Sequence, residues 1–160
     1  MIAVADLRKQ ILDVLTPLGL YSAGAEELLV ATCAQESHMG TYRKQIGGPA
    51  LGIFQMEPAT FNDIQGNYLR YHHELAMRIN TLGSNGMLHD PSAWELVDND
   101  PLAIAMARVQ YLRAPGVLPD PLDLKGLWLY YKAHYNTPAG AATIEQFYRN
   151  YKTLVHGDAA

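Results

Sequence analysis

Glu36 is the residue whose type and position could do acid chemistry. It follows the apolar stretch Leu28-Leu29-Val30-Ala31-Thr32-Cys33-Ala34, where the pattern predicts the C-terminal end of a helix. The carbonyl end of a helix is partially negative and disfavours a carboxylate. Enclosure by Leu29 and Cys33 on the preceding turns would disfavour the charged form as well. Both effects raise its pKa, and a carboxylic acid still protonated near neutral pH is what general-acid cleavage of a glycosidic bond requires. A hydrolytic version of that reaction needs a second carboxylate as base or nucleophile. Glu57, Asp63, Asp90 and Asp100 are the candidates. Glu57, directly before Pro58, also suits the start of a helix.

Other reactive residue types read as structural. Cys33 is the single cysteine, so an intramolecular disulfide is impossible, and its apolar setting predicts a core thiol rather than a nucleophile. His72 and His73 are adjacent and would diverge on a helix. No His-Glu-x-x-His or Cys-x-x-Cys spacing occurs, so neither a metal nor a cofactor is expected. Trp94, Trp128, Tyr130 and Tyr131 could stack on sugar rings, although their helical spacing suits a core, most clearly for Trp128.

The elements that must carry these groups read as helices. Leu7, Ile11, Val14 and Leu18 mark one face of a helix from Asp6 to Leu18, stopped by Pro17 and Gly19. Ser22 is a fitting N-cap for a second, which carries Glu26 and Glu27 in its first turns and runs to about Glu36, with Gly40 as its end. Residues 41–56, broken by Gly47-Gly48-Pro49, read as a loop or short β-excursion. Pro58 suits a first helical turn, and Tyr68 to Ile79 reads as a further helix. The pairs Asp90-Pro91, Asp100-Pro101 and Asp120-Pro121 each combine a capping residue with a preorganised first position. They predict helices near 91–97, 101–113 and 121–135, and Thr137-Pro138 predicts a last one to about Lys152. The expectation is an all-α fold of seven or so short helices in one domain, 1–160.

Composition supports a packed globule. Hydrophobic residues make up 49% and charged residues 18% of 160, too apolar for a disordered chain. Net charge is −4, with six basic and eight acidic residues on each side of residue 80. Nucleic-acid binding by phosphate neutralisation is therefore disfavoured. No apolar run reaches the roughly 18 residues of a membrane span, so no stable membrane insertion is expected.

Short motifs add to the reading of Glu36. Glu36-Ser37 is followed after 16 positions by Gly52-Ile53-Phe54-Gln55, then by Pro58, and later by Tyr135-Asn136. This ordered set resembles the lytic transglycosylase and goose-type lysozyme superfamily, whose signature is a Glu-Ser pair, a Gly-Leu-Met-Gln-like loop and an Ala-Tyr-Asn element. Asp100-Pro101, Ile104, Ala105 and Tyr111-Leu112 are similar to the family's helix between the last two motifs. The resemblance spans roughly residues 25 to 150. His134 stands where the family usually has Ala, Pro138 where it usually has Gly, and Gly47-Gly48-Pro49 where it often has Ser.

The resemblance implies a lysozyme-like domain that cleaves the β-1,4 MurNAc–GlcNAc bond of peptidoglycan. Glu36 would be the acid/base, and Ser37 a neighbour that positions the substrate or the Glu. Gly52 would let backbone and glycan approach closely, while Gln55 would hydrogen-bond the sugar. Tyr135 would bring its hydroxyl toward Glu36, and Asn136 would hold that element or the glycan. A transglycosylase that forms 1,6-anhydro-MurNAc is the first expectation, since it needs no second carboxylate. The alternatives are a hydrolytic muramidase, a chitin hydrolase, or a virion or secretion-machine component that binds glycan without cutting it. The start Met1-Ile2-Ala3-Val4-Ala5-Asp6 has no signal-peptide pattern. Synthesis in the cytoplasm is expected; a small catalytic domain with neither signal nor wall-binding module resembles a phage endolysin released to the wall with a holin's help, and a monomer is expected.

Overall fold

The computed structural model describes residues 1–86, 89–137 and 139–157. Those residues form seven α-helices with almost no strand, the all-α architecture expected. Two helices are apolar nearly all round and form the centre, as such helices must. They are α2 (Ala23–Ser37) and α5 (Asp100–Leu112). Leu28 to Ala34 of α2 and Leu102 to Val109 of α5 are buried without a break. α1 (Val4–Leu15), α3 (Pro58–Asn67), α6 (Leu124–Tyr131) and α7 (Ile144–Tyr151) pack around that pair, while α4 (His73–Asn80) packs on the turn before it and sends Ile79 into the core. Cys33 is fully buried, and burial pushes its thiol up to about 12. Trp128 also lies in the core.

Five helix starts carry side-chain caps, at Ser22, Ser92, Asn99, Asp123 and Thr143, and three of them are not the ones the Asp-Pro pairs suggest. Ser22 caps α2 as expected, its Oγ accepting from the Ala25 N–H at 3.1 Å. For α5 the cap is Asn99, which accepts from Leu102 N–H at 3.0 Å. Asp100 is thereby free to form a two-pronged pair with Arg43 at 2.6 and 3.0 Å. Asp123, not Asp120, caps α6. The stretch after Pro91 is a 3-10 helix, Ala93–Val97, closed by a Ser92/Glu95 capping box, while Asp90 accepts instead from Asn80. The last helix starts at Thr143 rather than at Thr137-Pro138; Pro138 lies outside the described residues.

The expected helix from Tyr68 to Ile79 is interrupted. A 3-10 turn, Leu69–Tyr71, precedes α4, and His72 between them is not helical. The His72 ring stacks on Tyr68 at 4.0 Å, and its Nδ1 bonds the Tyr68 carbonyl at 2.8 Å. That side chain takes an acceptor the helix would have used.

Candidate active site

The last turn of α2 delivers Glu36 to the surface of the core. Ser22 at one end and an unusual turn at the other fix its reach: His38, Met39 and Gly40 are all left-handed, with φ of 48°, 56° and 74°. Helix α2 thus ends at Ser37, before the glycine. The buried Ser37 hydroxyl donates to the Ile53 carbonyl at 2.6 Å and accepts from Gly40 N–H at 2.8 Å. Ser37 is therefore closed off from any substrate. It ties the helix end to the 41–56 loop and so positions its neighbour Glu36.

That loop forms one wall of a cleft. Isolated antiparallel bridges, Lys44 with Leu51 and Leu51 with Met56, give it the short β-excursion expected. Gly52 is buried at φ 75°, where a Cβ would lie 2.3 Å from the Leu96 carbonyl oxygen. Glycine is required here by the packing of the loop on Ala93–Val97 rather than by an approaching glycan. Gln55, also left-handed at φ 46°, donates its amide to the carbonyls of Gly52 and Tyr42 at 2.8 and 3.1 Å. Its side-chain oxygen takes no protein donor among the described residues.

The opposite wall comes from α6. Its final turn widens into a π-helical turn, Lys132–Asn136, a form that recurs at functional sites. Tyr131, fully buried, donates its hydroxyl to Glu36 Oε1 at 2.5 Å. The expected partner, Tyr135, instead donates to the Phe54 carbonyl at 2.9 Å. One tyrosine thus orients the carboxyl, and the next, stacked at 6.3 Å, braces the loop. Asn136 Oδ1 accepts from Lys132 Nζ at 2.7 Å, and the same ammonium reaches the carbonyls of Gly140 and Ala142. Lys132 so holds the cleft's lip in place.

Between these walls lies a cleft of about 630 Å³. Glu36, Gln55, Tyr135 and Asn136 of the expected set line it; Ser37 and Gly52 lie beneath it. Gln45, Thr60 and Gln110 add neutral polar groups that no sequence motif marks. Gln110 is itself oriented by donating to the His134 carbonyl and accepting from Arg113.

The carboxylates divide sharply. Burial pushes Glu36 up to about 7, opposed by the hydrogen bond from Tyr131. Its charge in turn adds to the burial that holds the Tyr131 and Tyr135 hydroxyls protonated. Of the four possible second carboxylates, Asp63 pairs with Arg113, Asp90 with Asn80 and Asp100 with Arg43. Glu57 alone lines the cleft. It occupies the N-cap position of α3, but its side chain makes no capping bond and is exposed.

Compared with protein-family models, with curated proteins and with solved structures, the chain matches none.

Proposed function

We propose that this protein cleaves the β-1,4 bond between MurNAc and GlcNAc in peptidoglycan, with Glu36 as the general acid. The observation that carries the reading is a largely buried carboxyl group raised to about 7 with no cation beside it among the described residues, opening on a cleft lined with amides and hydroxyls. Such a group holds a proton at neutral pH and can give it to a leaving oxygen. Neutral amides and hydroxyls suit a polyhydroxylated sugar. Glu36 protonates the bridging oxygen as the glycosidic bond breaks and an oxocarbenium-like centre develops.

In the transglycosylase version, the Glu36 carboxylate then takes the proton from the C6 hydroxyl of the same MurNAc. The C6 oxygen closes on C1 to give the 1,6-anhydro sugar, and the acid is restored. No other carboxylate takes part. The free Glu57 supports a second, hydrolytic version, in which it accepts a proton from water attacking C1. In that role Glu57 would act as a base across the attacking water, at the wider carboxyl spacing that leaves room for it.

Mass spectrometry of digested sacculi separates the versions. Anhydro ends, unchanged in yield by Glu57→Gln, support the transglycosylase. Reducing ends, lost at least about a hundredfold in Glu57→Gln, support the hydrolase. No cleavage of permeabilised cells or sacculi, with binding retained, would leave a glycan-binding protein.

A further inference from the structure

The charged groups of the cleft are Glu36 and Glu57, both acidic, among the described residues that line it. A peptidoglycan strand carries carboxylates of its own, on lactyl groups or stem peptides. The cations near the cleft are mostly committed: Lys132 to three oxygens, Arg113 to Asp63 and Gln110, and Arg43 to Asp100 and the Val97 carbonyl. Lys44 differs. Among the described residues no carboxylate pairs with it, and its ammonium lies 5.8 Å from the ring centre of Trp94.

Trp94 is 65% exposed, a large aromatic surface turned to water in a chain that buries its other tryptophan. Its mounting is rigid. Ala93, Leu96 and Val97 around it are buried, and the Ser92/Glu95 capping box closes its turn. The Leu96 carbonyl packs on Gly52, and the Val97 carbonyl accepts from Arg43 at 3.0 Å. Lys44 is bridged to Leu51, and the next residue along, Gln45, lines the cleft and donates its N–H to Ala50 at 2.9 Å. Trp94 and Lys44 are thus built into the outer side of the cleft's own wall.

We propose that Trp94 and Lys44 form an outer subsite for an acidic sugar of the glycan strand. The indole face takes the C–H face of the ring, and the ammonium pairs with its lactyl or stem-peptide carboxylate. The proposal rests on the glycan-cleaving reading of the Glu36 cleft, and it concerns binding alone.

Binding is measured by isothermal titration calorimetry in the Glu36→Gln background, which removes the general acid and needs no reporter at Trp94. The probes are soluble peptidoglycan strands with free stem carboxylates, and chito-oligosaccharides of matched length. Trp94→Ala should weaken both by about fivefold to tenfold, with Trp94→Phe restoring most of the loss. Lys44→Met should weaken the carboxylate-bearing strand by a few-fold and leave the uncharged one unchanged. Equal affinities in all variants would overturn the subsite. An equal loss for both probes in Lys44→Met would overturn its assignment to an acidic sugar. Full lysis by Glu36→Gln would instead overturn the reading of the cleft, whatever the binding shows.

Discussion

Helix α2 carries two carboxylates that each accept a tyrosine hydroxyl at 2.5 Å, Glu27 from Tyr151 and Glu36 from Tyr131. Nine residues apart, they sit half a turn out of phase, on opposite sides of the helix. Glu27 also receives two bonds from Arg8, at 2.8 and 3.0 Å, and Arg8 reaches Glu26 as well. The guanidinium is held well above its ordinary range, chiefly by its bond to Glu27. Glu36 has the hydroxyl but no guanidinium, and it is raised to about 7. One helix thus builds a closed ion pair and an uncompensated acid from the same two residue types. The counter-charge is what separates a group that holds the fold from one available for proton transfer.

The difference can be tested from both ends. Glu36→Gln should cost at least about a thousandfold in wall lysis, read as turbidity loss of permeabilised cells, while helical circular dichroism is unchanged. The same variant should be more stable than the parent at neutral and alkaline pH. Between pH 4.5, the ordinary glutamate value, and about 7 the unfolded chain releases a proton that the folded chain keeps. Parent stability therefore falls as pH rises through that window, and Gln removes the loss, on the order of 2–3 kcal/mol by pH 8. Thermal melts at pH 4 and pH 8 measure it: the two proteins should coincide at the lower pH and separate at the higher.

Arg8→Met acts on the other carboxylate. It leaves Glu27, 9% exposed, without its cation, and should destabilise by about 2–3 kcal/mol. Lysis per folded molecule should be unaffected. A loss of activity at full folding would mean that the two ends of α2 are coupled.

Tyr131→Phe equalises the comparison further, leaving Glu36 with neither partner. The hydroxyl lowers the Glu36 pKa, so its removal raises it. The alkaline limb of the pH–rate profile should move to higher pH, with about a tenfold lower maximal rate from the loosened carboxyl. An unmoved limb would show that Tyr131 only packs. Salt should have the smallest effect. With net charge −4 and no cation among the described lining residues, lysis should change less than about twofold between low and moderate ionic strength.

Much of this contrast is legible in the sequence because it is local. The apolar run ahead of Glu36, the Ser22 cap and the Pro58 turn each act within a few residues. Glu36 is picked out by its place after an apolar helix together with the motif order around it, and burial raises it. The Asp-Pro pairs mislead because capping depends on which oxygen reaches the N–H groups of the first turn. Asp100 is drawn away by Arg43, 57 positions distant, and Asn99 takes its place. Tyr131 takes the bond to Glu36 expected of Tyr135 because the helix widens into a π-helical turn between them. No residue pattern between 132 and 136 announces that wider turn. Gly52 keeps its requirement for glycine but not its reason, since the atom it must avoid belongs to Leu96, far along the chain. Lys132 and Gln110 escape notice because each is held in part by backbone carbonyls, which leave no trace in side-chain pattern.

The burial of Cys33 carries a consequence for the surroundings this molecule can tolerate. With its thiol raised to about 12, almost no thiolate exists at neutral pH, and none of it is within reach of an oxidant or a disulfide. No second cysteine is present in the sequence to pair with it. The fold has no bridge to lose on reduction and no exposed thiol to lose on oxidation. Thiol–disulfide poise therefore leaves it unchanged, and the same structure can persist in reducing and in oxidising surroundings.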